Sequence, residues 1–320
     1  MTQAVSSVRE QIKSIVESSK VTFSQIARES GLSSGTISTW MNDKYQGDIE
    51  KVCRSLRVWL DNYNHKAELP EPPSFIVTPT ARQIWTTCRF AQATESIAVV
   101  CGNPGVGKTK ACEQYTRDTP NTWMITISPS YAGVRECLTE LATELGLYDM
   151  PRHKGPLSRA IRQRLKGSQG LIIIDEADLL DRDTLEELRI LQEATHVGLV
   201  LMGNDRVYTN LTGGRRAIEF ARLFSRIAKR TAIRKTKIAD VDAIADAWGV
   251  TGETERELLQ RMAQKPGALR IINYTLRLAS MTAHGNGDSL NEEYITKAFK
   301  DLDLDVDVSS ILGGKDKGAI

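Results

Sequence analysis

The 320 residues contain no apolar run long enough to cross a bilayer, which argues against a helical membrane protein. The N-terminal stretch, with Arg9, Glu10 and Lys13, has no apolar core and is not expected to be a signal peptide. Cysteine is sparse. Cys53, Cys88, Cys101, Cys112 and Cys137 are scattered, odd in number and never in C-x-x-C spacing. That pattern predicts reduced thiols in a cytoplasmic compartment and argues against a zinc site. Charge is nearly balanced at +2, so the total implies no partner and only the distribution is informative. At this length two or three domains are expected.

One stretch dominates what is present. Gly102-Asn103-Pro104-Gly105-Val106-Gly107-Lys108-Thr109 satisfies G-x-x-x-x-G-K-[ST], and Ile97–Cys101 before it reads as a buried strand. A glycine-rich turn between strand and helix points successive backbone N–H groups into one concavity, beside the positive end of the helix dipole. This predicts a phosphate cradle for ATP. Lys108 would reach the β- and γ-phosphates, and the Thr109 hydroxyl would hold Mg²⁺. Gly105 and Gly107 are expected where a Cβ would strike phosphate or force a strained φ. A second element agrees. Leu171–Ile174 is apolar without alternation, as in a central strand, and ends in Asp175-Glu176. There Asp175 would bind Mg²⁺ through water, and Glu176 would orient or deprotonate the attacking water; both could also cap a helix starting near Asp178.

Residues 1–65 form a separate all-helical module in this reading. Phe23 to Trp40 has the layout of a helix-turn-helix, with small Ala27 at the crossing, Gly31 in the turn and Ile37 buried in the second helix. That helix would start at Ser33 or Ser34 and present Ser34, Thr36 and Ser38, with Lys44 beyond, to a DNA groove. Short hydroxyls are poor base readers, so weak or non-specific duplex binding is expected; a role in packing alone is the other reading. Pro70, Pro72, Pro73 and Pro79 make residues 66–80 an expected extended linker.

Residues 81–237 alternate helix and strand, predicting an α/β core with a parallel sheet and strands at 96–101, 122–127, 171–175, 198–203 and 230–234. Residues 238–312 read as a small helical domain, and 313–320 as a disordered tail. Two basic clusters, one from Arg152 to Lys166 and one from Arg222 to Lys237, suggest tracks for phosphate backbone, with Arg152, Lys154 and Arg159 the preferred DNA contacts. The second cluster is divided between DNA and a neighbouring subunit's ATP. From Asp301 to Val308, Asp alternates with Leu or Val, a pattern that suits strand addition to a sheet edge, a basic partner, or a frayed end.

Taken together, the helix-turn-helix, the phosphate loop, Ile172-Ile173-Ile174-Asp175-Glu176-Ala177-Asp178, Leu201-Met202-Gly203-Asn204, Phe220 to Ile227 and Pro266-Gly267-Ala268-Leu269-Arg270 resemble the phage Mu transposition protein B family of AAA+ ATPases, up to about Leu312. The resemblance implies an AAA+ core with a C-terminal helical lid. It also implies an ATP-dependent protein that forms filaments on double-stranded DNA of any sequence, delivers that DNA to a transposase and clears by hydrolysis, in the host cell cytoplasm. It places Asn204 as the sensor near the γ-phosphate and Arg270 as a second sensor on the lid. Arg226, with Arg222 as alternate one helical turn away, would be the finger reaching a neighbouring subunit's ATP. A replicative-helicase loader, an operator-reading regulator and a signalling ATPase without nucleic acid are the competing readings.

Overall fold

The computed structural model describes residues 2–18, 21–68, 70, 72–205, 207, 225–265 and 267–302. The chain divides into two units, Met1–Glu71 and Pro72–Ile320.

The first unit contains four helices: α1 (Thr2–Glu17), α2 (Phe23–Ser30), α3 (Ser34–Met41) and α4 (Ile49–Glu68). Each helix of the helix-turn-helix is started by a hydroxyl. Thr22 accepts from Gln25 N–H, and Ser33 accepts from Thr36 N–H. Between them Gly31 closes α2 at φ 71°, where a side chain would be strained. Ile12, Ile26, Ile37, Trp40 and Leu56 are fully buried and join the four helices in one core. The Arg9 guanidinium lies 4.7 Å over the Trp40 ring and pairs with Asp43 at 2.8 Å, fastening α1 to the end of α3. The helix α4 runs on to Glu68, so the first residues of the expected linker are helical. The prolines act only beyond that point.

The second unit is built on a five-stranded parallel sheet in the order β2-β3-β4-β1-β5. Its strands are β1 (Ile97–Gly102), β2 (Thr122–Thr126), β3 (Leu171–Asp175), β4 (Gly198–Gly203) and β5 (Ile227–Ile233). Every residue of β1, β3 and β4 is buried, as expected for strands covered on both faces. One face packs against α5 (Pro79–Ala93) and α6 (Lys108–Asp118); the other carries α7 (Val134–Glu144), α8 (Lys154–Leu165) and α9 (Arg182–Thr195). Pro79 occupies the first turn of α5, where its missing N–H costs nothing. Residues Phe75 and Ile76 of the expected linker pack on this unit, Phe75 against Trp85 at 5.8 Å.

Four helices follow the sheet: α10 (Ile238–Ala247), α11 (Glu253–Met262), α12 (Ala268–Gly285) and α13 (Glu292–Asp301). They share their own core, with Leu259, Ile272, Leu276 and Ile295 fully enclosed. Asp240 of α10, 1% exposed, accepts from Thr80 N–H at 2.8 Å and from the Thr80 hydroxyl at 2.6 Å. The carboxylate thus sits at the positive N-terminus of α5 and fastens the helical group to the sheet's covering helix. No helix among the described residues is long and apolar enough to cross a membrane.

Asp240→Ala would leave the Thr80 donors buried and unmet. A loss of about 2–3 kcal/mol in the stability of this unit is expected, measured by denaturant unfolding; an unchanged midpoint would contradict the role given to Asp240.

Candidate functional site: a phosphate loop beneath a helical lid

At the C-terminal end of β1 the chain turns into α6 through Gly105 (φ 82°) and Gly107 (φ 91°). A Cβ on Gly105 would lie 2.1 Å from the Gly267 carbonyl oxygen, so the glycine is demanded by the lid backbone rather than by phosphate alone. At Gly107 the nearest side-chain atom is 3.7 Å away, and the positive φ is the constraint. The N–H of Leu269, in the first turn of α12, donates to Gly105 O at 3.1 Å. Asn103 donates through its backbone to Ile233 O and through Nδ2 to Arg234 O, so its side chain positions the loop on the end of β5. Val106 is buried beneath the turn, and Pro104 is exposed. Lys108 Nζ folds back onto the carbonyls of Gly102 and Asn103 at 2.8 and 3.0 Å.

The carboxylates converge from β3. Thr109 Oγ1 donates to Asp175 Oδ2 at 2.7 Å, and Glu176 N–H donates to Asp175 Oδ1 at 2.9 Å. Asp175 is 2% exposed. Burial pushes its pKa up, opposed by the Thr109 hydrogen bond, the Glu176 N–H and Lys108. Glu176 follows in the left-handed region at φ 54°, where the strand ends. Its carboxyl is also raised, first by burial and then by Asp175 and Asp178, while Lys108 and Arg270 pull it down. Lys108 is lowered by burial against the pull of Asp175, Glu176 and Asp178. Three carboxylates thus act on Lys108, which leaves the pocket with an excess of negative charge. No cluster of three or more metal-binding side chains exists among the described residues. A cation held here would therefore share its shell with phosphate oxygens, which suits Mg²⁺ on Thr109 and Asp175.

Asn204 stands at the end of β4 as expected. Its Nδ2 donates to Asp178 Oδ2 at 2.6 Å, and its N–H donates to Asp178 Oδ1 at 3.3 Å. A Cβ on Gly203 would fall 2.3 Å from Asp178 Oδ1, so this glycine admits the carboxylate. Sequence reading missed the partnership, although Asp178 stands three residues after Asp175. The helix expected near Asp178 is corrected: a single tight turn spans Ala177–Leu179, and α9 begins at Arg182, capped by Asp181. Arg270 is exposed on the first turn of α12, within electrostatic reach of Glu176.

The expected arginine pair changes most. Arg226 lies in a turn entering β5, not on a helix, because the edge strand starts at Ile227. Its Nε is 3.1 Å from Glu193 Oε1 of α9. Arg222 lies outside the described residues. In the first basic cluster, Arg162 pairs with Glu187 at 3.4 Å and Arg164 lies 5.6 Å over the Trp123 ring. Arg152, Lys154 and Arg159 are exposed at the start of α8. In the first unit Ser34, Ser38 and Lys44 are exposed, while the Thr36 hydroxyl is 2.8 Å from Ser33 Oγ within the cap.

Sheet order, phosphate loop, acidic strand end, polar tip of β4 and helical lid define an AAA-type ATPase. Residues 91–211 match the family described as AAA domain, and residues 225–302 match Mu B transposition protein, C terminal. The chain is 65% identical over 308 residues to the ATP-dependent target DNA activator B of Escherichia phage Mu, covering 96% of this chain and 99% of that protein. It is 46% identical over 267 residues to the Mu-like prophage FluMu DNA transposition protein B of Haemophilus influenzae, covering 82% and 93%. The chain belongs to this family of Mu-type target DNA activator B proteins. Among solved structures, the Aeropyrum pernix ORC2 protein aligns with a TM-score of 0.50 at 14% identity, covering 71% of this chain and 70% of that one, a likeness of fold alone.

Both Asp175 and Glu176 must be ionised to act as ligand and base. With both pKa values raised above their ordinary 3.8 and 4.5, the acid limb of the ATPase pH–rate profile is expected above those values as pH falls. A limb at or below them would contradict the environment described.

Proposed function

We propose that this protein binds ATP and Mg²⁺ at the Lys108, Thr109 and Asp175 site, assembles with further copies into a filament on duplex DNA of any sequence, and delivers that DNA to a transposase, stimulating strand transfer. Hydrolysis then releases the DNA, which yields target immunity. The reading is supported by the meeting of the phosphate loop and the acidic strand end at Thr109 and Asp175, in a chain 65% identical to a phage protein named ATP-dependent target DNA activator B. It takes place in the host cell cytoplasm.

The chemistry needs little from the protein beyond placement and charge. Mg²⁺ supplies charge neutralisation on the phosphates. Lys108 exchanges its two carbonyl partners for phosphate oxygens, a trade of neutral acceptors for charged ones. Glu176 takes or orients the water proton; Asn204, held by Asp178, fixes the line of attack. Arg270 on the lid senses the γ-phosphate. Arg226 is assigned as the finger for a neighbouring subunit, with Arg222 as alternate. Its pair with Glu193 is an obstacle of only about 0–1 kcal/mol, since the arginine side chain is 62% exposed.

DNA contact is assigned to Arg152, Lys154 and Arg159, with Ser34, Thr36, Ser38 and Lys44 of the helix-turn-helix as a second, weaker face. A few phosphate contacts per subunit bind weakly, but a filament multiplies them. ATP at the subunit interface then sets how long DNA stays occupied.

Lys108→Ala is expected to abolish ATP-dependent assembly on random duplex, seen by electron microscopy. Filaments formed equally well by this variant, or by the native chain without nucleotide, would refute the proposal. Glu176→Gln is expected to bind ATP, to hydrolyse it about 10²-fold or more slowly and to dwell on DNA; rapid release would separate hydrolysis from clearance. Reversing Arg152 and Lys154 to Glu is expected to lower DNA affinity and flatten its salt dependence while nucleotide binding stays intact. An unchanged salt slope would move the DNA track elsewhere.

A further inference from the structure

Between α7 and α8 the chain is pinned at two points. Gly146, at φ 76°, donates its N–H to Thr143 O at 3.0 Å, and the Leu147 N–H reaches Ala142 O at 2.9 Å, so α7 closes in a left-handed turn. Leu147 and then Met150 pack against the core beneath the sheet, and α8 begins at Lys154. The two residues between these anchors, Tyr148 and Asp149, are exposed. At 88% exposure Tyr148 is the most open large apolar or aromatic side chain among the described residues. A tyrosine presented in this way offers a wide apolar face and has only two side-chain torsions to order when a partner covers it.

Charge indicates the partner. Arg152, His153 and Lys154 follow closely and are exposed, and Asp149 is the one acid from residue 145 to residue 168. Tyr148 and Arg152 stand four residues apart, so their Cα atoms lie within about 14 Å of each other, roughly four base-pair steps of a duplex. A DNA backbone gripped at Arg152 and Lys154 therefore runs past the ring. We propose that the Tyr148 ring packs against the sugars of duplex DNA, beside the phosphates held by Arg152 and Lys154. Asp149 repels phosphate from the turn itself, which leaves sugar as the surface for the ring. Deoxyribose is the same in every nucleotide, so the contact adds affinity without base preference. It displaces no counterion, and it is the part of the grip that salt does not weaken. The inference rests on the DNA track assigned above and gives that track a non-ionic component.

The test measures affinity for a short random duplex in ATP across a salt series. It compares the native full chain with Tyr148→Ala, with Tyr148→Phe and with the double variant Arg152→Glu, Lys154→Glu. Loss of the ring is expected to weaken binding about fivefold, the effect of half-burying an aromatic side chain. The line of log affinity against log salt is expected to drop without changing its slope. Tyr148→Phe keeps the ring and is expected to bind as the native chain does. The thermal midpoint of Tyr148→Ala serves as the control for folding, and so open a side chain is expected to leave it unmoved. Iodination of Tyr148, read by peptide mass, is expected to slow when duplex is added and not when ATP is added alone. Native affinity in Tyr148→Ala beside a weakened double variant overturns this proposal and leaves the track standing; native affinity in both overturns the track as well. A flattened slope in Tyr148→Ala, an equal loss in Tyr148→Phe, or protection by ATP alone, which marks a contact between copies, also overturns it.

Discussion

The contact on which the second unit turns is the approach of two glycine backbones, Gly105 in the phosphate loop and Gly267 at the start of α12. Neither position tolerates a side chain: a Cβ at the first meets backbone at 2.1 Å, and the second holds φ at 92°. The Leu269 N–H completes the junction on Gly105 O. Through it the helical group rests directly on the glycine-rich loop between β1 and α6, and Arg270, the next residue, is brought within electrostatic reach of Glu176. A change in the loop is therefore a change in the seating of four helices.

Around this junction, four polar side chains of the site are engaged with neutral or charged protein partners. Lys108 holds two carbonyls, Thr109 holds Asp175, Asn204 holds Asp178 and Asn103 holds the end of β5. These hydrogen bonds fix the loop and the strand ends relative to one another, so the site rests on ordered backbone rather than loose chain. The carboxylates remain costly because burial opposes their charge.

Much of this was legible from local pattern. The phosphate loop, β3 and β4 declare themselves because strand, turn and helix signals lie within a dozen residues of one another. The caps at Thr22 and Ser33 and the turn at Gly31 are equally local. What escaped depends on residues distant in sequence. Nothing near Asp240 announces Thr80, 160 positions away, and Gly105 looks like a phosphate residue until Gly267 is placed over it. The start of β5 was misread for a different reason. Ala228 and Lys229, just before the expected start at residue 230, have little intrinsic strand preference, and pairing with β1 overrides it. Arg226 was carried onto a helix by that error. Arg162 and Arg164 illustrate a third case: counted as a basic cluster, they are divided in the fold between Glu187 and Trp123.

The Asp240 clasp on Thr80 has a mechanical consequence. It grips the lid at its first helix, while Leu269 grips it at its third. Two separated anchorages, one on α5 and one on the phosphate loop, thus fix both the place and the orientation of the helical group.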